Sequence, residues 1–310
     1  MTKSACSEKL FEELTAARPF TEEGEKPMYS IDTATLEEVE LAVAWAAREG
    51  WNPGFSDARA FYAQDPGGFF MGKLRGEPLG CISCVKYPWN FAFIGFYIVR
   101  PECRRKGYGL RLWKHALEYG SGCSLGLDGV PAQQENYAKS GFQLAYRNIR
   151  YEYTASGEGE EIPEIPETLV SPQNLPLKDL VAFDALHFGG PRREFLQKWL
   201  TLENSRSLAA LKNGEIRGLA TLRQCQRGYK IGPLFAANPL LGEALFLEIL
   251  REIPRETPVY LDVPEPNEHA LALAEKYRMI PVFGTARMYR GTPPSVPLKR
   301  IFGVTTFELG

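Results

Sequence analysis

The sequence has no strong net charge and no cysteine pattern typical of a metal site. Its 310 residues include 36 Lys and Arg against 38 Asp and Glu, a formal net charge of −2, so no overall field draws the protein to nucleic acid or to an anionic membrane. The six cysteines form no paired CxxC set. Cys81 and Cys84 have that spacing, but they lie in a predicted strand and therefore on its opposite faces. We expect both to be buried as small apolar side chains, without zinc or redox chemistry.

Histidine and long apolar runs are also scarce. The three histidines, His115, His187 and His269, are far apart, and no ligand spacing connects them, so we expect no metal. The first 20 residues, MTKSACSEKLFEELTAARPF, are too polar for a signal peptide or a membrane-spanning segment. The sequence therefore predicts a cytoplasmic protein with no membrane partner.

The remaining composition is that of an ordinary globular protein, and the chain divides near its middle. Hydrophobic residues make up 44% of the sequence and charged residues 24%, values that suit a chain with a sizeable core. The segment 154–174, TASGEGEEIPEIPETLVSPQN, is rich in glutamate and proline and has few residues to bury. It is typical of a linker, which we place at 154–172. Residues 1–26 then form an N-terminal extension, and 27–153 and 173–310 are two domains.

The sequence patterns of the two halves predict the same order of strands and helices. In the first half, the apolar run FAFIGFYIV (91–99) indicates a central strand that is buried on both faces. An amphipathic helix, GYGLRLWKHALEYG, follows it, with its apolar residues along one stripe. In the second half, Asn213-Gly214 marks a hairpin before the matching strand. Strands that alternate with helices predict an α/β fold with a mixed central sheet in each half.

Two pairs of segments match between the halves and indicate an internal duplication. IGFYIV at 94–99 parallels IGPLFA at 231–236, and RNIRYEY at 147–153 parallels GTARMYRG at 284–291. Because repeated segments imply a repeated fold, each half is expected to form the same kind of domain.

The segment VRPECRRKGYG, residues 99–109, places a basic cluster directly after the apolar strand. From 100 to 114 the chain has six basic residues and one acid, Glu102. Glycines in a turn that opens a helix let successive backbone N–H groups face one anion, and the helix N-terminus adds partial positive charge. Nearby arginines would bind further phosphate oxygens. The spacing is neither the GxGxxG fingerprint nor a P-loop, since no GK[ST] follows.

Two motifs in the first half resemble those of a known family. YIVRPECRRKGYGLRLW resembles the acetyl-CoA-binding motif of the GNAT superfamily of N-acetyltransferases, an apolar strand, V-x-P and then (Q/R)-x-x-G-x-(G/A) opening a helix. NYAKSGF, 136–142, is similar to the family's later motif, in which a tyrosine stands four residues before Gly-Phe. The second half resembles the extra C-terminal acetyltransferase-like domain of a two-domain subgroup. The resemblance implies two tandem GNAT domains and acetyl-CoA as co-substrate.

The second half lacks the residues that carry this resemblance. Its matching segment, ANPLLGEALFLEILR (237–251), has two acids, one base and no RxxGxG. Ala274 stands in place of the motif tyrosine, and Arg278 stands in place of the glycine. We expect this degenerate half to retain the fold, to have lost the coenzyme, and to form a wall of the substrate site or a packing partner.

The resemblance assigns the coenzyme to the strand end and the turn. It implies that the pyrophosphate lies on the backbone N–H groups of residues 104–110. It also implies that the strand before the turn splays from its neighbour, so that N–H groups near Ile98 and Val99 polarise the thioester carbonyl. The expected coenzyme-binding residues are Ile98, Val99, Arg104, Arg105, Lys106, Gly107, Tyr108, Gly109 and Leu110.

Three residues are candidates for proton transfer. Tyr137 matches the tyrosine that is often assigned in this family as general acid to the departing thiolate. A thiol has a pKa of about 8.5 and tyrosine one of about 10, so this transfer is only mildly uphill. Asp128 and Glu135 are candidates for the base that deprotonates the amine. The alternatives are a tyrosine that packs on the coenzyme or in the core, a turn-forming aspartate and a glutamate on a solvated helix face.

The predicted function is transfer of an acetyl group from acetyl-CoA to an amine, with a small molecule as the favoured acceptor. In the family, helices that line the acceptor site flank the break that contains Trp51 and Asn52, and Trp89 falls in a strand–strand turn near that site. For Trp51 a place in the core is the favoured alternative. A non-catalytic acyl-CoA sensor or scaffold is the alternative. A nucleic-acid partner is disfavoured by the pI near 6.1 and by the single basic cluster. The sequence leaves the acceptor, the acyl chain length and the oligomeric state open.

Overall fold

The computed structural model describes residues 28–155 and 160–310, and within them one mixed sheet runs through both halves. The first half contains β1 (Tyr29–Thr33), α1 (Leu36–Arg48), α2 (Asp57–Gln64), β2 (Phe69–Leu74), β3 (Glu77–Tyr87), β4 (Phe91–Val99), α3 (Tyr108–Tyr119), β5 (Ser124–Gly129), α4 (Gln134–Lys139) and β6 (Gln143–Thr154). The second half contains β7 (Thr168–Val170), α5 (Leu177–Phe188), α6 (Arg193–Trp199), β8 (Ser205–Lys212), β9 (Glu215–Gln224), β10 (Tyr229–Ala236), α7 (Pro239–Leu250), β11 (Pro258–Pro264), α8 (Glu268–Lys276), β12 (Ile280–Arg290) and β13 (Ile301–Gly303). The predicted α/β class is confirmed, and the structure adds the short strands β7 and β13 to the predicted order.

The strands follow one another across the sheet in the order β1-β2-β3-β4-β5-β12-β6-β11-β10-β9-β8-β7, and β13 pairs with β10. β4 and β5 are parallel and are joined by the crossover helix α3, and β10 and β11 are parallel and are joined by α7. The remaining strand pairs of the described sheet are antiparallel. The two halves thus repeat one topology, as the matched segments predict.

β6 of the first half and β12 of the second half each pair with strands of the other half. β12 lies between β5 and β6, and β6 lies between β12 and β11. Thr285 of β12 faces Asn148 of β6, and these two residues also correspond in the matched segments of the sequence. Equivalent residues therefore face each other, as a two-fold relation between the halves requires. This exchange of strands joins two sheets into one.

A buried ion pair secures each exchanged strand. Arg150 of β6 contacts Asp262 of β11 through two hydrogen bonds of 2.6 and 2.7 Å. Arg287 of β12 contacts Asp128 of β5 in the same way, at 2.8 and 2.5 Å. Because a buried charge is costly without its partner, each pair fixes the position of the strand that carries its arginine.

Helices cover both faces of the sheet. On one face, α1 and α2 share an apolar core with α5 and α6. The other face carries α3 and α4 in the first half and α7 and α8 in the second. Cys81 belongs to the shared core and Cys84 to the core beneath α3, so the prediction of buried cysteines on opposite faces is confirmed. None of the helices in 28–155 and 160–310 is long and apolar enough to cross a membrane.

The segment predicted as a linker is structured in its second part. Residues 168–170 form β7, which pairs with β8, and Ile162 and Ile165 pack against the core of the second half. These apolar residues, each followed by a proline, provide the packing, and the acidic composition of the segment does not indicate it. Residues 156–159, and the extension predicted at 1–26, lie outside the described part of the chain.

Candidate active site

β4 and β5 are paired along only part of their length. Their ladder begins at Phe91 and Ser124 and ends at Ile94 and Leu127. Residues 95–99 have no partner in β5, and β4 is bulged there, with Phe96 at φ 47°. The splay that the resemblance implies is therefore present, and the expected coenzyme residues Ile98 and Val99 lie in the unpaired part.

The turn that follows β4 carries a row of free backbone donors. Within the described residues, nothing accepts a hydrogen bond from the N–H groups of residues 105–110. The next N–H group, that of Arg111, donates to Gly107 O at 3.2 Å and starts the ladder of α3. Positive φ angles at Arg105 (63°) and Gly107 (86°) bend the chain into the helix. Six successive donors at a helix N-terminus suit a diphosphate.

The basic side chains of the turn differ in their surroundings. Arg105 and Lys106 are exposed, and no described residue pairs with them. Arg104 instead braces the turn, because its Nε donates to Val99 O at 2.8 Å and its guanidinium pairs with Glu49. Its backbone N–H group also donates within the turn. Arg104 therefore supports the turn in the structure, while Arg105 and Lys106 are available to an anion, and the assignment of all three to the coenzyme stays a prediction.

The remaining residues of the turn fix how α3 begins. A Cβ atom at Gly109 would lie 2.9 Å from the Tyr97 hydroxyl, so this glycine permits close packing of α3 on β4. The ring of Tyr108 packs on that of Tyr29, with centroids 4.9 Å apart. Leu110 is 57% exposed, which leaves its apolar surface beside the free amides.

A cavity lies in the gap between β4 and β5, and both halves form its walls. The first half contributes Phe96, Tyr97, Asp128 and Tyr137. The second half contributes Phe283, Thr285, Phe307 and Glu308. The second half thus forms one wall of this cavity. The lining combines aromatic side chains with a few polar groups, as is common in small-molecule sites.

Tyr137 is buried against the cavity on α4. Its ring packs on Trp113 with centroids 5.3 Å apart, and a Cβ atom at Gly129 would collide with it. Burial raises the pKa of the Tyr137 hydroxyl above its ordinary value of 10, and the neighbouring Tyr97 adds to the shift. The hydroxyl therefore keeps its proton at neutral pH, which a general acid requires.

Asp128 lines the cavity, but other side chains occupy its carboxylate. Besides the two bonds from Arg287, it accepts hydrogen bonds from Asn148 Nδ2 at 2.8 Å and Thr285 Oγ1 at 3.4 Å. Burial raises the pKa of Asp128, and the Arg287 guanidinium opposes that shift. With its lone pairs engaged, Asp128 has little capacity left to accept a proton from an amine.

Three of the predicted site residues lie away from the cavity. Glu135 is exposed on the outer face of α4. The Asn52 side chain forms two hydrogen bonds with the backbone of Arg227, at 2.9 and 3.0 Å, and so joins the two halves. Trp89 stacks on Phe91 with centroids 4.6 Å apart. The structure does not bring any of the three to the lining of the cavity.

Trp51, in contrast, does line the cavity. Its carbonyl oxygen accepts hydrogen bonds from Arg150 Nη1 at 2.6 Å and Lys230 Nζ at 3.3 Å. Its position is therefore fixed by two cations that belong to β6 and β10.

Residues 301–310, IFGVTTFELG, contribute to the site without being among its predicted residues. All ten residues are buried, and Phe307 and Glu308 reach the cavity. The available signal was an apolar and β-branched run after the last predicted strand, interrupted by a single acid. Such a run is typical of a buried strand or core segment.

In the second half, another strand covers the gap that corresponds to the opening between β4 and β5. The β10–β11 ladder covers only 229–231, and β13 pairs with the continuation of β10. The turn before α7 has no row of free donors, because Pro239 lacks an N–H group and the Asn238 side chain caps Leu241 N at 2.9 Å. This half therefore retains the topology without the turn that could hold a diphosphate.

The comparisons with known proteins agree for both halves. Residues 31–142 match the acetyltransferase (GNAT) family, and 180–303 match an acetyltransferase (GNAT) domain. Holothin acyltransferase from Pseudoalteromonas sp. (strain SANK 73390) is 32% identical over 277 residues, which are 89% of this chain and 93% of that protein.

Solved structures show the same fold. A protein from Pyrococcus horikoshii that is assigned as an acetyltransferase has a TM-score of 0.76 at 23% identity and covers 94% of this chain and 100% of its own. A tandem GNAT protein from the clavulanic acid biosynthesis pathway, solved without acetyl-CoA, has a TM-score of 0.63 at 16% identity and covers 86% of this chain and 100% of its own. The splayed strands, the turn before α3 and these matches agree, and the chain is a member of the GNAT acetyltransferase family, an acyltransferase built from two tandem GNAT domains.

Proposed function

We propose that this enzyme transfers the acetyl group of acetyl-CoA to the amine of a small molecule in the cavity between β4 and β5. The row of free N–H groups at 105–110 carries the proposal, because it supplies a diphosphate site next to that cavity. The two are in contact, since Gly109 of the turn packs on Tyr97 of the cavity wall.

Each part of the site has a role in this reaction. Backbone N–H groups of the turn, with Arg105 and Lys106, bind the diphosphate. The unpaired stretch 95–99 of β4 offers hydrogen-bonding groups to the thioester end of the donor. Tyr137, which keeps its proton, donates to the departing thiolate.

The enclosure of the cavity favours a small acceptor over a protein chain. Phe283 and Phe307 of the second half and Trp51 of the first close around it. A compact aromatic or heteroaromatic amine fits such walls by stacking and apolar burial. The name of the similar Pseudoalteromonas enzyme gives holothin as what it acylates, so holothin is the first acceptor to assay.

The test is a thiol-release assay with the purified chain. Acetyl-CoA and longer acyl-CoA donors are each mixed with holothin, benzylamine, tryptamine, glucosamine or glycine, and the amide product is identified by mass spectrometry. We expect acetyl-CoA to be consumed with formation of one amide, and CoA to bind with measurable heat in calorimetry. Binding of acetyl-CoA without transfer to any amine would favour the sensor alternative, and no binding of any acyl-CoA would refute the proposal.

A further inference from the structure

Residues 301–310 are held at both ends beside the cavity. Upstream, Val304 N donates to Asp262 O at 2.9 Å, and the Thr305 hydroxyl accepts from Arg192 at 2.7 Å. Downstream, Tyr87 Oη donates to Leu309 O at 2.9 Å. These contacts fix the segment on either side of Glu308, so that its side chain is presented from a rigid backbone.

The backbone of Glu308 lies directly against the bulged strand β4. A Cβ atom at Gly95 would collide with the Glu308 carbonyl oxygen, so this glycine permits the approach. Gly95 is the first residue of β4 beyond its ladder with β5, and it also lines the cavity. Glu308 therefore stands where the splay begins, on the same cavity as Tyr137.

The Glu308 carboxylate differs from that of Asp128 in having no direct partner. Glu308 is only 4% exposed, and no residue of the described chain donates a hydrogen bond to it or forms an ion pair with it. Asp128 has both oxygens occupied. Among the carboxylates of the cavity wall, Glu308 is the one with lone pairs available to an incoming ammonium group.

We propose that Glu308 is the catalytic base, which binds the ammonium group of the acceptor in the cavity and removes a proton from it. This inference rests on the proposed function. The carboxylate takes one proton, and the nitrogen lone pair attacks the thioester carbonyl carbon. The C–N bond forms, the C–S bond breaks, and the thiolate takes a proton from Tyr137. The second nitrogen proton replaces the one that Tyr137 gave, and the proton on Glu308 passes to water when the product leaves.

The charges around Glu308 suit this role. Burial raises the pKa of its carboxyl above the ordinary 4.5, and Lys230, Arg150 and Arg223 oppose the shift while Asp57 adds to it. A carboxylate with a raised pKa is a stronger base than an exposed one, and the basic side chains around Glu308 favour its ionised form.

The experiment compares Glu308→Gln with Glu308→Asp and with the matched control Glu118→Gln, an exposed acid on α3. The assay uses acetyl-CoA with the amine of the named panel that has the highest kcat/KM. We expect Glu308→Gln to lower kcat by about a hundredfold or more, to remove the acidic limb of the pH–rate profile, and to leave the calorimetric affinity for CoA unchanged. Glu308→Asp retains a carboxylate and should keep the acidic limb at reduced kcat.

A stability measurement provides a readout that does not depend on activity. A buried acid with a raised pKa stabilises the fold below the unfolded-state pKa, and that stability is lost as pH rises through the folded-state pKa. Glu308→Gln should therefore unfold at an increasingly higher temperature than wild type as pH rises from 4.5, the ordinary glutamate value.

The outcomes separate this inference from the proposed function. If wild type transfers acetyl to no amine of the panel, the proposed function fails. If wild type is active and Glu308→Gln retains its kcat and its acidic limb, Glu308 is not the base and the proposed function stands. If Glu308→Gln also loses affinity for CoA, Glu308→Asp decides: an acidic limb retained at reduced kcat assigns the base to the carboxylate, and loss of that limb with a carboxylate still present overturns the assignment.

Discussion

At the scale of single residues, two aspartates hold corresponding positions in the two halves. Asp128 and Asp262 lie near the C-terminal ends of the equivalent strands β5 and β11, and each binds an arginine of the exchanged strand beside it. Asp262 does so in the half that lacks the basic turn. Because the pair is present with and without that turn, its common role is to hold an exchanged strand in register.

Tyr137→Phe tests the proposed general acid. The change removes only the hydroxyl, so we expect kcat to fall by about a hundredfold or more while the affinity for acetyl-CoA is unchanged. Because burial raises the pKa of Tyr137, wild-type activity should persist at alkaline pH without a limb below pH 10. Tyr62→Phe, on α2 and partly buried against the shared core, is the matched control. Equal kcat for both variants would remove Tyr137 from the mechanism.

The residues of the site differ in whether the sequence predicts them. RxxGxG and YxxxGF predict the turn and Tyr137, because their spacing is local to one strand–turn–helix unit. Nothing local predicts Glu308, which comes to the cavity from the far end of the chain. The same limit applies to Arg287, whose pairing with Asp128 spans 159 positions. Pairing over such separations depends on the exchanged strands, and a single sequence does not record that exchange.

At the scale of elements, β4, the turn and α3 of the first half correspond to β10, a turn and α7 of the second half. The two units differ in few features. β10 and α7 keep the strand and the helix, but Asn238 caps the helix and Pro239 removes a donor. Residues 301–303 also occupy the open edge of β10. Loss of the basic turn and coverage of the open edge occur together, because an uncovered edge without a ligand leaves buried backbone groups unpaired.

Arg105→Glu with Lys106→Glu tests the turn as the diphosphate site. A hydrogen bond to a charged group contributes about 1.5–3 kcal/mol, so two reversals should weaken acetyl-CoA binding by at least about a hundredfold. Calorimetry at two salt concentrations measures this, and the salt dependence should be smaller in the variant. Lys178→Glu with Arg193→Glu makes the same change in net charge on exposed positions of the second half. Equal loss of affinity in both variants would assign the effect to net charge rather than to the turn.

At the scale of the whole molecule, the exchange of β6 and β12 makes each half depend on the other. Neither half has its complete sheet without a strand from its partner. Asp57 of α2 is also buried against Arg223 of β9, and Gly54 bridges to Cys225. The cavity also depends on both halves, because both contribute to its walls and the second contributes the proposed base, Glu308.

The chain should therefore unfold in one transition rather than two. Asp262→Asn removes one partner of a buried ion pair in the second half, and we expect it to lower the free energy of unfolding by about 3–5 kcal/mol. Lys276→Ala, which breaks an exposed pair with Glu243, should cost less than about 1 kcal/mol. Calorimetry should show a single peak in wild type and both variants, and added acetyl-CoA should shift the whole peak upward although its proposed site lies in the first half. A separate peak that acetyl-CoA does not move would contradict the coupling, because it would show that the second half unfolds while the first retains β12.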